Sequence, residues 1–207
     1  MRFFLLIVVF FIVELDHCGD LFAQIKYRDG FVITNSKDTI QGKVGFQKFE
    51  QQYIQCYFKA NNTRKINAFS IYDIYGFGIE SELVFLSPIA LFKTEAEQNT
   101  FVQLLVSGKI SLLKAKGEYY LLIDNQVIYL DEEYKDTLGD LMKDCKAIEY
   151  DILLSKKDDD KLSELVTYYN SYKGGEPRKY VQERPKLVIS SAISFGVNHS
   201  QLISNIA

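Results

Sequence analysis

Apolar and polar side chains alternate along most of the chain between residues 25 and 130. A period of two predicts β-strands with one buried face, separated by short stretches rich in Gly, Asn and Asp. The pattern is clearest from Phe101 to Leu130, where each of three turns contains a residue that tolerates positive φ, as tight hairpins require. This region is predicted to be an antiparallel β meander. The predicted strands are 30–34, 39–46, 53–59, 68–79, 83–86, 101–106, 110–115, 119–123 and 127–130.

After Leu130 the apolar period changes from 2 to about 3.6, which predicts helices. Asp131 is predicted to be the first N-cap, with Glu132 and Glu133 favourable at the positive end of the helix. A charged break at residues 156–160 separates the last helix from the others. The apolar positions are Tyr134, Leu138, Leu141, Met142 and Cys145, then Ile148, Ile152 and Leu153, then Leu162, Leu165, Val166 and Tyr169. Two or three helices are therefore expected.

The last part of the chain is predicted to be a linker followed by one more strand. Residues 173–186 contain Gly174, Gly175, Pro177 and Pro185, and residues 187–197 alternate strongly. One apolar face and one small, mostly polar face over about 10 residues is the pattern of a membrane β-strand, although a soluble half-buried strand alternates in the same way. The predicted fold class is α+β: an antiparallel β meander followed by two or three helices, then a linker and one barrel-like β-strand.

The first segment has the pattern of a secretory signal peptide. Residues 3–13 form an apolar run behind Arg2, which is shorter than the roughly 20 residues that span a bilayer. Cleavage after Ala23 is expected, and a buried N-terminal strand or an uncleaved anchor are the alternatives. Export would leave Cys56 and Cys145 in an oxidising compartment, where a disulfide between them is allowed. Two buried free thiols are the alternative.

Composition and charge narrow the function classes. The chain is 47% hydrophobic and 25% charged, which is ordinary globular composition. Its net charge of −3 lacks the basic excess of nucleic-acid-binding proteins, so no nucleic-acid partner is expected. After cleavage His199 is the one remaining histidine, which excludes a two-histidine zinc site and argues against a Ser-His-Asp triad. No cofactor, metal or catalytic residue is predicted.

Several short motifs have both a structural and a chemical interpretation. Residues 158–160 are predicted to cap a helix rather than bind calcium, and residues 131–133 to serve a helix start rather than glycoside chemistry. Gly76-Phe77-Gly78 is predicted to be part of a strand or turn rather than a phosphate loop. Tyr119-Tyr120 and Tyr168-Tyr169 are predicted to pack in the core, with a ligand groove as the alternative.

The mature N-terminal region resembles a domain that precedes outer-membrane β-barrels in Bacteroidota proteins of unassigned function. The matching pieces are Gly30 to Thr34, Asp38 to Val44, Phe101 to Val106, Gly108 to Leu112, Tyr119 to Leu121, Leu141 with Asp144-Cys145, and Tyr169-Asn170. The resemblance implies a signal peptide, a small periplasmic domain, a linker and a barrel of about eight or more strands. The chain would then be a partial member that stops after the first barrel strand. Tyr172 stands where members often have a second Cys.

The expected organisation is a signal peptide (1–23), a periplasmic α+β domain (24–172), a linker (173–186) and the start of an outer-membrane β-barrel (187–207). The expected function is non-enzymatic: an exported cell-envelope protein of the periplasm and outer membrane with a structural or partner-binding role. Its expected partners are the outer membrane and another envelope protein. A self-contained soluble periplasmic binding module and a carboxylate-based periplasmic hydrolase are the two alternatives.

Overall fold

The structure is a computed structural model that describes residues 25–46, 54–80, 82–92 and 99–180. The strands are β1 (Lys26–Ile33), β2 (Thr39–Phe46), β3 (Cys56–Ala60), β4 (Asn67–Phe69), β5 (Gly76–Ile79), β6 (Leu83–Leu86), β7 (Val102–Ser107), β8 (Ile110–Ala115), β9 (Glu118–Ile123), β10 (Gln126–Leu130) and β11 (Arg178–Lys179). The helices are α1 (Pro88–Leu91), α2 (Tyr134–Leu141), α3 (Glu149–Leu154) and α4 (Asp159–Tyr172), with a 3₁₀ helix at Lys146–Ile148. The predicted order of an antiparallel meander followed by helices is confirmed.

In the described part of the chain all strands belong to one antiparallel sheet, in the order β10-β9-β8-β7-β6-β5-β1-β2-β3-β4, with β11 beside the end of β7. Most neighbours are consecutive in sequence, as in a meander. The exception is β1, which pairs with β2 on one side and with β5 on the other. The ring of Phe31 on β1 lies across its partner Gly78 on β5, where an added Cβ would collide with the ring. A glycine at this position lets the two strands pair under an aromatic side chain.

The two faces of strands β7 to β10 are covered differently. On β8 the neighbouring residues Leu112 and Leu113 point to opposite faces. Leu112 packs with α2 and α4 through Leu138 and Val166. Leu113 packs with the α1 segment, and beyond α1 the ring of Phe92 meets Tyr120 of β9 edge to face at a centroid distance of 5.4 Å. The helices therefore form a layer on one face, and α1 with Phe92 forms a shorter cover on the other.

A second core joins β1, β2 and β3 to β5 and β6. Its residues include Val32, Val44 and Phe58 together with a group of aromatic rings. Phe77 of β5 stacks on Phe85 of β6 at 4.9 Å and meets Phe101 edge to face at 5.0 Å. These rings sit where the two halves of the sheet join.

The predicted strand at residues 68–79 is two short strands with a turn between them. Phe69 ends β4, and the Asp73 carboxylate then accepts hydrogen bonds from the backbone N–H and the hydroxyl of Ser70, at 2.7 and 2.6 Å. Ile71 and Ile74 are buried within this turn. An apolar alternation cannot distinguish a continuous strand from a turn that anchors its own apolar side chains in the core.

The predicted N-cap of α2 is wrong. Glu133 occupies that position, and the Asp131 carboxylate instead accepts a hydrogen bond from the backbone N–H of Glu133 at 2.9 Å. Asp131 therefore closes an Asx turn just before the helix. Aspartate is favoured in both roles because its short carboxylate reaches nearby backbone N–H groups.

The described part of the predicted linker is attached to the domain. Residues 178 and 179 form β11, and the backbone N–H of Tyr180 donates to the carbonyl of Leu105 at 2.7 Å. Glycine, proline and charge predict a linker, but strand pairing uses backbone groups that do not depend on side-chain polarity. The predicted signal peptide and the predicted strand at 187–197 lie outside the described residues.

Candidate functional site

Residues from the start of β8, the segment after α2 and the end of α4 meet at one corner of the domain. The side-chain amide of Asn170, fully buried on α4, accepts from the backbone N–H of Ile110 at 2.9 Å and donates to its carbonyl at 2.8 Å. The Asn170 amide therefore pairs with the start of β8 as a neighbouring strand would. A Cβ on Gly108 would stand 2.5 Å from the Asn170 amide nitrogen, so glycine is required there for the amide to approach.

Asp144 links the 3₁₀ region to the end of α4 at the same corner. Its carboxylate accepts from the Tyr169 hydroxyl at 3.0 Å and forms an ion pair with the Lys173 ammonium. The hydroxyl of Tyr172 donates to the Asp144 carbonyl at 2.9 Å. The hydrogen bond from Lys173 holds the pKa of the Asp144 carboxyl below its ordinary value, against a smaller opposing effect of desolvation. Burial, and then the bond to Asp144, raise the pKa of Tyr169.

A cavity of about 320 Å³ lies beside this corner, lined by apolar side chains, two lysines and Asp124. The Lys109 ammonium donates to the Lys173 carbonyl at 3.1 Å, and the Lys173 ammonium is held by Asp144. Both cations therefore have partners within the domain. The corner fastens α4 and β11 to the sheet, and both lysines that line the cavity are held by groups of the domain itself.

Replacing Lys173 by Met is expected to weaken the pH dependence of stability in acid. The pKa of Asp144 is lower in the folded chain than in the unfolded one, so the ion pair stabilises the fold above the ordinary carboxyl pKa of about 4. That stabilisation is lost as the pH falls through the depressed folded-state value. The free energy of unfolding of Lys173→Met should therefore fall less than that of the wild type between about pH 5 and pH 2.

Urea unfolding of the purified full chain at a series of pH values measures this difference. Lys65→Met is the matched control, because the Lys65 ammonium makes no ion pair with any residue in the described ranges. The control should keep the wild-type pH dependence. Identical acid profiles for all three proteins would contradict the assigned role of Lys173.

A different surface stands out on the outer side of the helical layer. Tyr150, Leu153 and Leu154 of α3 are 69, 61 and 64% exposed, and Tyr168 of α4 is 50% exposed. We call these four residues the helical patch. Tyr150 is separated by three and four positions from Leu153 and Leu154, so the three side chains project from one side of α3. Clustered exposed apolar side chains are typical of protein interaction sites.

Two grooves flank the exposed side of α3. The first, between α3 and α4, has a volume of about 370 Å³ and brings Leu154 close to Leu165 and Tyr168. Its charged lining residues are Asp151, Glu164 and Lys161. The second groove, between α2 and α3, has a volume of about 700 Å³ and a lining rich in both lysines and carboxylates. The helical patch therefore borders concave surface on both sides.

The predicted carboxylate cluster at 158–160 serves α4. Asp158 is the N-cap, and its side chain accepts a hydrogen bond from the backbone N–H of Lys161 at 2.8 Å. Asp159 accepts from the Lys114 ammonium and from the Tyr119 hydroxyl, both at 2.6 Å, which connects the helix to β8 and β9. Within the described ranges, no group of three or more His, Cys, Asp or Glu could hold a metal ion.

The two tyrosine pairs divide between core and surface. Tyr119 and Tyr169 are buried, and their hydroxyl groups reach Asp159 and Asp144. Tyr120 is half-buried against Phe92, whereas Tyr168 borders the groove between α3 and α4. Tyr168 is thus the member of these pairs that reaches an exposed apolar groove.

Cys56 and Cys145 lie in different parts of the core. Cys56 packs with the aromatic rings around β5 and β6, and Cys145 packs in the helical layer. Both are free and buried. Burial raises the pKa of the Cys56 thiol, which keeps it protonated.

The helical patch could not be recognised as a surface from the periodic pattern, which marked Leu153 as an apolar position alongside Ile148 and Ile152. The structure buries Ile148 and Ile152 and leaves Leu153 and Leu154 exposed. The run Ile152-Leu153-Leu154 indicates that at least one apolar side chain is exposed, because three consecutive residues spread over more than half of a helix circumference. A helix that packs on one side cannot bury all three.

The described helices include none long and apolar enough to cross a membrane. Comparison with protein-family models, curated proteins and solved structures finds no match for this chain.

Proposed function

We propose that this chain is a non-enzymatic cell-envelope protein whose periplasmic domain, attached to an outer-membrane β-barrel, binds a protein partner through the helical patch. The observation that carries the proposal is the exposure of Tyr150, Leu153, Leu154 and Tyr168 together on α3 and α4. Large exposed apolar side chains cost free energy in water, and tyrosine is enriched among the residues that dominate binding at interfaces. The signal-like N-terminus and the family resemblance support export.

The position of the patch fits a docking role. It lies on the outer side of α3, and Ile148 and Ile152 on the same stretch of chain are buried in the core. The buried side chains therefore hold the α3 segment against the core, while its solvent-facing side is free to bind. A surface that is already ordered loses less conformational entropy on binding than a flexible segment.

Site-specific photo-cross-linking in the producing cells tests the proposal. A benzophenone amino acid placed at Tyr150 should give a discrete cross-linked protein adduct, because this side chain is expected to lie at the interface. Tyr72 is the matched control, since it is 70% exposed against 69% for Tyr150 but lies on the turn between β4 and β5. Absence of an adduct at Tyr150, or the same adduct at both positions, would contradict a docking role for the patch.

A self-contained soluble periplasmic binding module is the second candidate, and one observation favours it. β11 and Tyr180 attach the described part of the predicted linker to β7, so the domain extends further along the chain than the composition predicts. Fractionation of the producing cells separates the two candidates. We expect the protein in the membrane fraction after a high-salt wash. Recovery in the soluble periplasmic fraction would favour the self-contained module.

A further inference from the structure

We infer that the groove between α3 and α4 docks a segment of a partner protein that carries apolar side chains and an arginine or lysine placed to meet Asp151. This inference rests on the proposed docking function and specifies the chemistry of the partner. It depends on two features of the groove, an apolar wall and a net negative charge of the lining.

The apolar wall comes from both helices. Leu154 is 64% exposed and Tyr168 is 50% exposed, and they line the same groove as the buried Leu165. A partner side chain inserted there would remove parts of both exposed residues from water. Burial of apolar surface favours association, so the wall favours leucine-like or aromatic side chains in the partner.

The charges of the lining do not cancel. Lys161 and Glu164 form an ion pair at 2.8 Å, which uses the one cation of the lining. The Asp151 carboxylate makes no hydrogen bond or ion pair with any of the described residues, although its charge acts at longer range on Lys161. The pKa of Lys161 is raised first by its bond to Glu164 and, more weakly, by Asp158 and Asp151, so the region around it is acidic.

The net negative charge of the groove favours a partner segment that carries a positive charge. A cation on the partner would pair with Asp151 at the rim, while an anion would meet both Asp151 and Glu164. Complementary charge raises the association rate and discourages partners of the wrong sign. An arginine could also stack on the ring of Tyr168, because guanidinium groups favour aromatic faces. The groove therefore fits a basic, apolar peptide segment.

Selection from a random peptide library displayed on its own mRNA tests the inference with the purified full chain as bait. Peptides that bind wild type but lose binding to Leu154→Gln, which removes the apolar side chain without adding charge, define the groove-dependent set. That set should be enriched in lysine or arginine next to apolar residues. Binding of these peptides should weaken about tenfold or more on Asp151→Lys, since the substitution replaces attraction by repulsion.

Asp38→Lys is the matched control, because it makes the same charge change on the exposed turn between β1 and β2. It should leave peptide affinity within about twofold of wild type, which corresponds to a free-energy change below about 0.5 kcal/mol. Circular dichroism of each variant shows that its fold is retained. All substituted side chains are exposed, so little loss of stability is expected.

Three outcomes would overturn the inference. If the groove-dependent peptides lack positive charge, or bind Asp151→Lys as tightly as the wild type, the partner is not selected by charge. A selection with no groove-dependent peptide would remove the groove as a docking site. Self-association of wild type that Leu154→Gln abolishes would identify a second copy as the occupant. If any of these results were combined with a cross-link at Tyr150, the proposed docking function would still stand. Without a cross-link at Tyr150, both the docking function and the inference about the groove would be overturned.

Discussion

Asn170→Leu is expected to lower the free energy of unfolding by about 2–4 kcal/mol, because it leaves two buried backbone groups without a partner. The amide of Asn170 accepts from the N–H of Ile110 and donates to its carbonyl, at 2.9 and 2.8 Å, and Asn170 is fully buried. Leucine has a similar volume and no hydrogen-bonding group. The variant therefore removes the bonds while it leaves little cavity.

Urea unfolding of the full chain measures this loss, and two further variants separate hydrogen bonding from packing. Asn62→Ala, on the exposed turn after β3, should change stability by less than about 0.5 kcal/mol. Asn170→Asp should be strongly destabilised at neutral pH, because a carboxylate cannot donate to the Ile110 carbonyl. The difference in the free energy of unfolding between Asn170→Asp and the wild type should become smaller in acid, where the protonated carboxyl group can donate a hydrogen bond. A stable Asn170→Leu protein would show that the bonds contribute little.

Phe77→Ala is expected to lower the free energy of unfolding by about 3–5 kcal/mol. Phe77 is 1% exposed, stacks on Phe85 at 4.9 Å and meets Phe101 edge to face at 5.0 Å. Truncation removes its apolar contacts, leaves a cavity and ends two aromatic interactions. The site lies on β5, where the β1 half of the sheet joins the β7 half, so the loss should affect the cooperative unfolding of both.

Tyr72→Ala is the matched control for this second substitution. It also truncates an aromatic residue, but Tyr72 is 70% exposed, and its change in stability should stay within about 0.5 kcal/mol. The loss of stability in Phe77→Leu should lie between those of Phe77→Ala and Tyr72→Ala, because leucine fills part of the cavity. A loss for Phe77→Ala no larger than that for Tyr72→Ala would contradict the proposed role of the aromatic group. Two separate unfolding transitions in Phe77→Ala would show that the halves of the sheet are less coupled than we expect.

Hairpins and helix faces were predictable because their signals are local. β7 to β10 and their turns lie within one continuous stretch of the chain, and Gly117, Asp124 and Asn125 adopt the positive φ expected of such turn residues, whereas Gly108 in the first turn does not. In α2 and α4 the apolar period located the buried sides, including Leu138, Leu162 and Val166. The break within the predicted strand at 68–79 was missed, because its turn carries apolar residues that the alternation does not distinguish from a strand.

The amino-acid sequence on its own determined the types of element, their order along the chain and most residues of the core, since each depends on side chains within a few positions of one another. Tertiary structure decided which distant elements meet. It places β1 beside β5 and brings Asn170 to Ile110 across 60 residues. It also decides that Ile152 is buried and Leu153 and Leu154 are exposed. A helix with apolar residues on several sides can be buried on any of them, and only the position of its neighbours determines which side remains free to bind a partner.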